Sequence, residues 1–167
     1  LELTAAYAAI ADGGQYRKPV FYTKVTDSKG NVLIDNTENK ATQVFKASTA
    51  SLLTNVMEDV LEKGTGVAAR LDNMHAAGKT GTTNEAKDLV FAGFTPYYTA
   101  AIWATYDTHA EFPESDREFH KRLWAKAMNE IHEGLADMDF ETSATVQEAT
   151  ICTKTGLLAR SSCPSIT

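Results

Sequence analysis

The sequence has little that would hold a polyanion or cross a membrane. Its 167 residues carry 16 Lys and Arg against 22 Asp and Glu, a net charge of −6, and the basic residues do not cluster. A nucleic-acid surface needs clustered cations to displace the counterions of phosphates, so that class is excluded. No stretch approaches the roughly 18 consecutive apolar residues that span a bilayer. The start, Leu1-Glu2-Leu3-Thr4, has no initiator Met and no basic n-region, and it opens inside a helical pattern. The expectation is a piece of a longer chain, with any signal or anchor upstream.

Cysteine is also scarce. Cys152 and Cys163 form no CxxC, which argues against a structural zinc site. Two readings stay open for them: a disulfide closing a short loop, which would suit an oxidising compartment, or two unpaired thiols in a tail. The histidines His75, His109, His120 and His132 include no i, i+4 pair, and Glu111, Glu114, Asp116 and Glu118 lack calcium-loop spacing. No metal is implied, and there is neither an internal repeat nor a low-complexity segment.

What is present reads as one ordinary globular domain, 43% hydrophobic and 23% charged. A small-residue helix over 3–12 ends at Gly13-Gly14. Two β-rich runs, 20–25 and 32–34, flank Asp27-Ser28-Lys29-Gly30-Asn31 and predict a hairpin. The spacing of Leu52, Leu53, Val56, Met57, Val60 and Leu61 predicts an amphipathic helix over 48–63, with Ser48 as N-cap and Lys63-Gly64 as its stop.

Three strand-like runs follow, at 76–82, 89–95 and 98–106, with Thr95-Pro96-Tyr97 as a tight turn. Connections this short force antiparallel neighbours. An acidic solvated loop at 108–118 leads to a helix over 117–133, with Phe119, Leu123, Trp124, Ala127, Met128 and Ile131 on one face. The remainder, 134–167, is irregular with one short strand near 145–152. The order gives an α+β class: an antiparallel sheet flanked by helices. Trp103 and Trp124 are expected to pack between sheet and helix, and Phe91, Phe94, Tyr97 and Tyr98 to serve core and rim.

Chemistry concentrates in Ala77-Gly78-Lys79-Thr80-Gly81-Thr82-Thr83-Asn84. A Lys-Thr-Gly alone is a weak signal, and a second copy stands at Lys154-Thr155-Gly156, where a turn is expected. A P-loop would need glycine where Asn73 stands and a helix where Leu89-Val90-Phe91 reads as a strand, so that reading fails twice. The alternative is a cleft-rim strand. Such a strand offers backbone groups to an extended peptide, a cation and hydroxyls to a carboxylate, and a glycine for close approach. Lys79, Thr80, Gly81 and Thr82 meet these needs in order.

The flanks carry a resemblance. Leu3-Thr4-Ala5-Ala6-Tyr7-Ala8-Ala9-Ile10-Ala11-Asp12-Gly13-Gly14, the Gly64-Thr65-Gly66 loop, Phe91-Ala92-Gly93-Phe94-Thr95-Pro96 and Ala101-Ile102-Trp103-Ala104-Thr105-Tyr106-Asp107 resemble class A (bifunctional, 1A-like) penicillin-binding proteins. The match covers residues 1–135 and is to the C-terminal half of the transpeptidase domain, leaving 136–167 as a C-terminal extension packed on it or trailing. The resemblance implies the serine β-lactamase and penicillin-binding-protein fold, here as a partial domain.

It also implies peptidoglycan D,D-transpeptidase activity on stem peptides, inhibition by β-lactams, no cofactor, and a place at the extracytoplasmic face of the bacterial cell membrane. Lys79 would then tune proton transfer and help hold the substrate carboxylate. Thr80 and Thr82 would bind that carboxylate, the Thr82 N–H would be an oxyanion-hole donor, Gly81 would let the substrate approach closely, and Thr83 and the Gly64–Gly66 loop would line the cleft. No serine has Lys at +3 or Asn at +2. The Ser-x-x-Lys and Ser-x-Asn motifs are therefore expected in an N-terminal partner half, and this chain alone is expected to be inactive. A D,D-carboxypeptidase or β-lactamase-type hydrolase, and a non-catalytic sensor module, are the alternatives.

Overall fold

The structure is a computed structural model and describes residues 1–160 and 163–166. Its centre is a three-stranded antiparallel sheet, β5 (Ala77–Thr82), β6 (Asp88–Phe94) and β7 (Thr99–Thr105), in the order β5-β6-β7. Register places Gly78 opposite Gly93 and Thr80 opposite Phe91 on β6, with Ala100 and Ile102 of β7 next in those rows. Side chains alternate across a strand. One face therefore carries Gly78, Thr80, Thr82, Leu89 and Phe91, and the other carries Ala77, Lys79, Gly81, Val90 and Phe94.

Helix α3 (Phe119–Ile131) covers the Phe91 face. Trp124, 1% exposed, meets Phe91 edge-on at 4.9 Å between ring centroids, and its indole N–H donates to the Ala100 carbonyl at 3.0 Å. A Cβ on Gly93 would stand 2.8 Å from both Phe91 and Trp124, so the glycine makes room for this aromatic pair. The opposite face receives α1 (Glu2–Ala11) and α2 (Ala47–Glu62), where Met57, Ala77 and Phe94 form a second core with Tyr7, Ile10 and Phe140 around it. Small residues Ala5 and Ala9 are what α1 buries. The turn that follows α1 holds Gly14, where φ is +89° and a Cβ would overlap the Phe45 carbonyl, so no other residue fits.

Outside the sheet, β2 (Lys24–Thr26) and β3 (Val32–Asp35) form the expected hairpin, the first strand shorter than its sequence run. Asp27 closes its turn by accepting the Lys29 and Asn31 N–H groups, both at 2.8 Å. A pairing the sequence did not announce joins β1 (Gln15–Tyr16) to β4 (Thr42–Gln43).

Three expectations need correction. Helix α2 starts one residue before Ser48, its N-cap is Lys46 in extended backbone, and no side chain caps it. The stripes of α2 and α3 each split. On α2, Thr54, Met57 and Leu61 are buried, while Leu52, Leu53 and Val56 are 57%, 39% and 62% exposed. On α3, His120, Lys121, Trp124, Ala125 and Met128 face the core, and Phe119, Leu123 and Ile131 face out. Trp103 lies open at 67% exposure, because β7 is an outer strand and its row (Gly81, Val90, Trp103) is on the face away from α3.

The extension beyond residue 135 is packed onto the body along its first part. Phe140 stacks edge-on against Phe94 at 5.5 Å, Tyr97 donates to the Ala136 carbonyl at 3.0 Å, and the Ser143 N–H donates to Ser51 Oγ at 2.9 Å. His75 lies 3.2 Å from Asp139 and 3.6 Å from Glu58, whose carboxyl burial pushes up against the pull of that His. Further on, β8 (Ile151–Cys152) pairs with β9 (Ser165–Ile166), and only two residues of the expected 145–152 strand form. Cys152 and Cys163 are disulfide-bonded, and the second Lys-Thr-Gly is a turn inside the loop they close, with the Gly156 N–H on the Cys152 carbonyl at 2.8 Å. Ser161, Ser162 and Thr167, which fall in the predicted extension, lie outside the described residues.

His120 is 2% exposed, and neither ring nitrogen has a hydrogen-bond partner among the described residues; the Val90 backbone offers only a weak contact short of one. Burial, then the neighbouring Lys121 ammonium, hold the imidazole below its usual value against the opposing pull of Glu118. The unfolded chain thus takes up this proton near pH 6.5 while the folded one resists, so stability falls as pH drops below that value. In thermal unfolding of the intact protein between pH 7.5 and 5, His120→Gln is expected to flatten the acid-side loss by at most about one proton of linkage. An unchanged slope would mean the imidazole is solvated.

Candidate active-site strand

Strand β5 has a strand partner on one side only, since β6 pairs with it and the other edge meets no strand among the described residues. The Thr83 N–H donates inward to the Asp88 carbonyl at 3.1 Å. Backbone groups alternate sides along a strand, so the N–H groups of Thr82 and Thr80 point to the open edge. Lys79 is exposed, Thr80 half-buried, and Gly81 and Thr82 exposed. The Lys79 ammonium donates to the outward Thr80 carbonyl at 2.9 Å and lies 3.4 Å from Thr80 Oγ1. Lys79 and the Thr80 and Thr82 side chains thus flank one unpaired edge from opposite faces of the sheet.

Gly81 is not there for internal packing. A Cβ at that position would meet only Val90 Cβ at 3.5 Å, an ordinary contact, whereas Gly78 would clash with Phe91 at 2.7 Å. The bare backbone at Gly81 leaves the face low for something arriving from outside.

The base of the strand is fixed by Asp88. Its carboxylate takes the Trp103 indole N–H at 3.0 Å, lies 3.2 Å from His109 Nε2 and accepts the Thr83 hydroxyl at 3.1 Å, while its own N–H donates to Thr83 Oγ1 at 2.8 Å. His109 first, then Trp103, hold the Asp88 carboxyl below the usual carboxylate range. Thr83 therefore spends its hydroxyl on the turn, and the sequence-predicted site separates into Lys79 to Thr82 along the edge and Thr83 beneath it.

Sequence reasoning placed the Gly64-Thr65-Gly66 loop near the cleft, and the structure sets Thr65 Oγ1 2.8 Å from Thr80 Oγ1. It missed Lys121, whose side chain is 8% exposed and donates to the Thr65 carbonyl at 2.9 Å and to Glu118 at 2.6 Å. The signal available was a lysine three residues before Trp124, on the buried side of its helix. No cluster of metal-ligating residues occurs among the described residues.

The arrangement agrees with known proteins. A family description, the penicillin-binding-protein transpeptidase domain, matches residues 1–133. Penicillin-binding protein 1A of Clostridium perfringens is 34% identical over 161 residues, covering 96% of this chain and 19% of that protein. The Clostridium tetani protein of the same name is 35% identical, covering 98% of this chain and 22% of its own length. The chain thus spans about a fifth of these relatives. Among solved structures, PonA1 of Mycobacterium tuberculosis in complex with penicillin V superposes with a TM-score of 0.72 at 26% identity, over 83% of this chain and 39% of that one. Penicillin-binding protein 1A of Haemophilus influenzae, at 19% identity, shares the fold with a TM-score of 0.76 over 99% of this chain and 31% of its own. With an antiparallel sheet flanked by helices and a family match across four-fifths of its length, this chain belongs to the penicillin-binding-protein transpeptidase family.

Proposed function

We propose that this chain supplies one wall of a serine D,D-transpeptidase that cross-links peptidoglycan stem peptides and is acylated by β-lactams. The observation that carries the reading is the unpaired β5 edge, with an outward Thr82 N–H beside two hydroxyls and a cation. A stem peptide would lie along that edge as an added strand. Its terminal carboxylate would rest on Thr80 and Thr82 with Lys79 nearby, and Gly81 would let its backbone approach. The Thr82 N–H would donate to the oxyanion of the tetrahedral intermediate, where negative charge develops. Lys79 would assist proton transfer between nucleophile and leaving amine.

The bond-forming serine and its lysine would come from an N-terminal partner half. Two observations support that partner: no serine here has the required neighbours, and α2 presents Leu52, Leu53 and Val56 bare, as a helix awaiting a cover would. The Cys152–Cys163 bond fits an extracytoplasmic location, where disulfides persist. No described helix is long and apolar enough to cross a membrane.

Fluorescent penicillin tests both claims. The intact protein is expected to label covalently and this chain by itself is not. Labelling of the isolated chain would place a nucleophile within it, and an unlabelled, folded intact protein would end the acyl-transfer reading.

A further inference from the structure

We propose that Thr65, held by Lys121, is a positioning residue that aims the Thr80 hydroxyl at the substrate carboxylate; this rests on the transpeptidase reading above. Lysine on the buried side of α3 is an expensive choice, since an aliphatic residue would pack there without desolvating a charge. Lys121 meets that cost through Glu118 at 2.6 Å, and among the described residues the backbone group it holds is the Thr65 carbonyl at 2.9 Å, fifty-six residues away in sequence.

The loop is fixed from its other side as well. The Gly66 N–H donates to the Val60 carbonyl at 2.8 Å, and a Cβ on Gly64 or Gly66 would come within 2.9 or 3.0 Å of Val60. The chain is therefore pressed onto the end of α2, with Thr65 left exposed and its hydroxyl 2.8 Å from that of Thr80.

A hydroxyl has one proton to give. Were Thr80 to donate to Thr65, it would have none left for a carboxylate. With Thr65 as donor, Thr80 Oγ1 accepts from Thr65 and faces the Lys79 ammonium at 3.4 Å, and its own O–H is free to point into the cleft. The fixed loop thus holds the Thr65 hydroxyl where it can donate to Thr80, and in that arrangement Thr80 keeps its own proton for the carboxylate. Lys121 acts only through Thr65 and touches no substrate.

The test uses the intact protein and two probes, benzylpenicillin and its methyl ester, which lacks the free carboxylate. Second-order acylation rates are measured for the unmodified protein, Thr65→Val, Lys121→Met and Lys121→Arg. Thr65→Val is expected to slow acylation by the acid about tenfold, the loss of one hydrogen bond to a charged group, with the ester rate within about twofold. Lys121→Met shifts the acid-to-ester ratio in the same direction, and Lys121→Arg restores part of it. Should Lys121→Met fail to fold, Thr65→Val carries the test, because its side chain is exposed. An unchanged ratio in Thr65→Val, or equal losses for acid and ester, overturns the proposal. If neither probe acylates the unmodified protein, the transpeptidase reading itself falls, and the positioning role with it.

Discussion

Lys79→Met in the intact protein is expected to slow acylation by a β-lactam by about 10²–10⁴-fold, the usual contribution of a positioned proton-transfer group. The fold should be almost indifferent to the change. Lys79 is exposed and, among the described residues, its ammonium bonds only to Thr80 of its own strand, and such surface positions shift stability by roughly 0.5 kcal/mol or less. Lys79→Arg should rescue poorly despite keeping the charge. A planar guanidinium cannot occupy the site of a compact ammonium bonded to the outward Thr80 carbonyl at 2.9 Å. Stopped-flow acylation paired with thermal unfolding separates the outcomes. A rate within about tenfold of the unmodified protein, at an unchanged unfolding midpoint, would remove Lys79 from the chemistry and leave it a carboxylate contact.

The motif strand was legible because two local signals converged. Lys79 to Thr82 did not fit a P-loop, because Asn73 is no glycine and a strand follows, and the short links on either side of 89–95 left only an antiparallel sheet, which is the observed β5-β6-β7 order. What escaped the sequence depends on neighbours distant along the chain. Hydrophobic spacing shows that α2 and α3 are amphipathic, but Met57 is covered by Ala77 and Phe94, and Val56, one residue away, stays 62% exposed. Trp103 and Trp124 look alike as letters. Their fates differ because Trp103 falls on a sheet row that faces away from α3 and Trp124 on the covered side of the helix itself; a single-residue change of register would move Trp103 to the other face. Lys121 and His120 read as polar punctuation in a helix, and only the folded structure shows both to be buried. The pairing of Gln15 with Gln43, and the packing of Phe140 on Phe94, join segments whose local patterns name no partner.

Trp124→Ala is expected to be the most damaging single substitution to the fold, at about 3–5 kcal/mol. The side chain is 1% exposed and sits in a core with Leu61, Leu71, Met74, Phe91 and Met128. Removing it opens a cavity, breaks the edge-on contact with Phe91, and leaves the Ala100 carbonyl without its 3.0 Å donor. At roughly 2–4 °C per kcal/mol for a domain of this size, the unfolding midpoint should fall by about 10 °C. Trp103→Ala, at a position 67% exposed, should cost about 1 kcal/mol, most of it the bond to Asp88. The two tryptophans thus form an internal comparison that composition alone cannot provide. The larger effect should also reach the chemistry. Trp124 is one turn from Lys121 on the same helix face, so loosening α3 loosens the grip on Thr65 and hence on Thr80. In folded Trp124→Phe, which keeps an aromatic ring but loses the indole N–H, the acid-to-ester acylation ratio should stay near that of the unmodified protein. A drop below about 1 kcal/mol for Trp124→Ala would show that α3 is held to the sheet elsewhere, and that its lysine is anchored independently of the core beneath it.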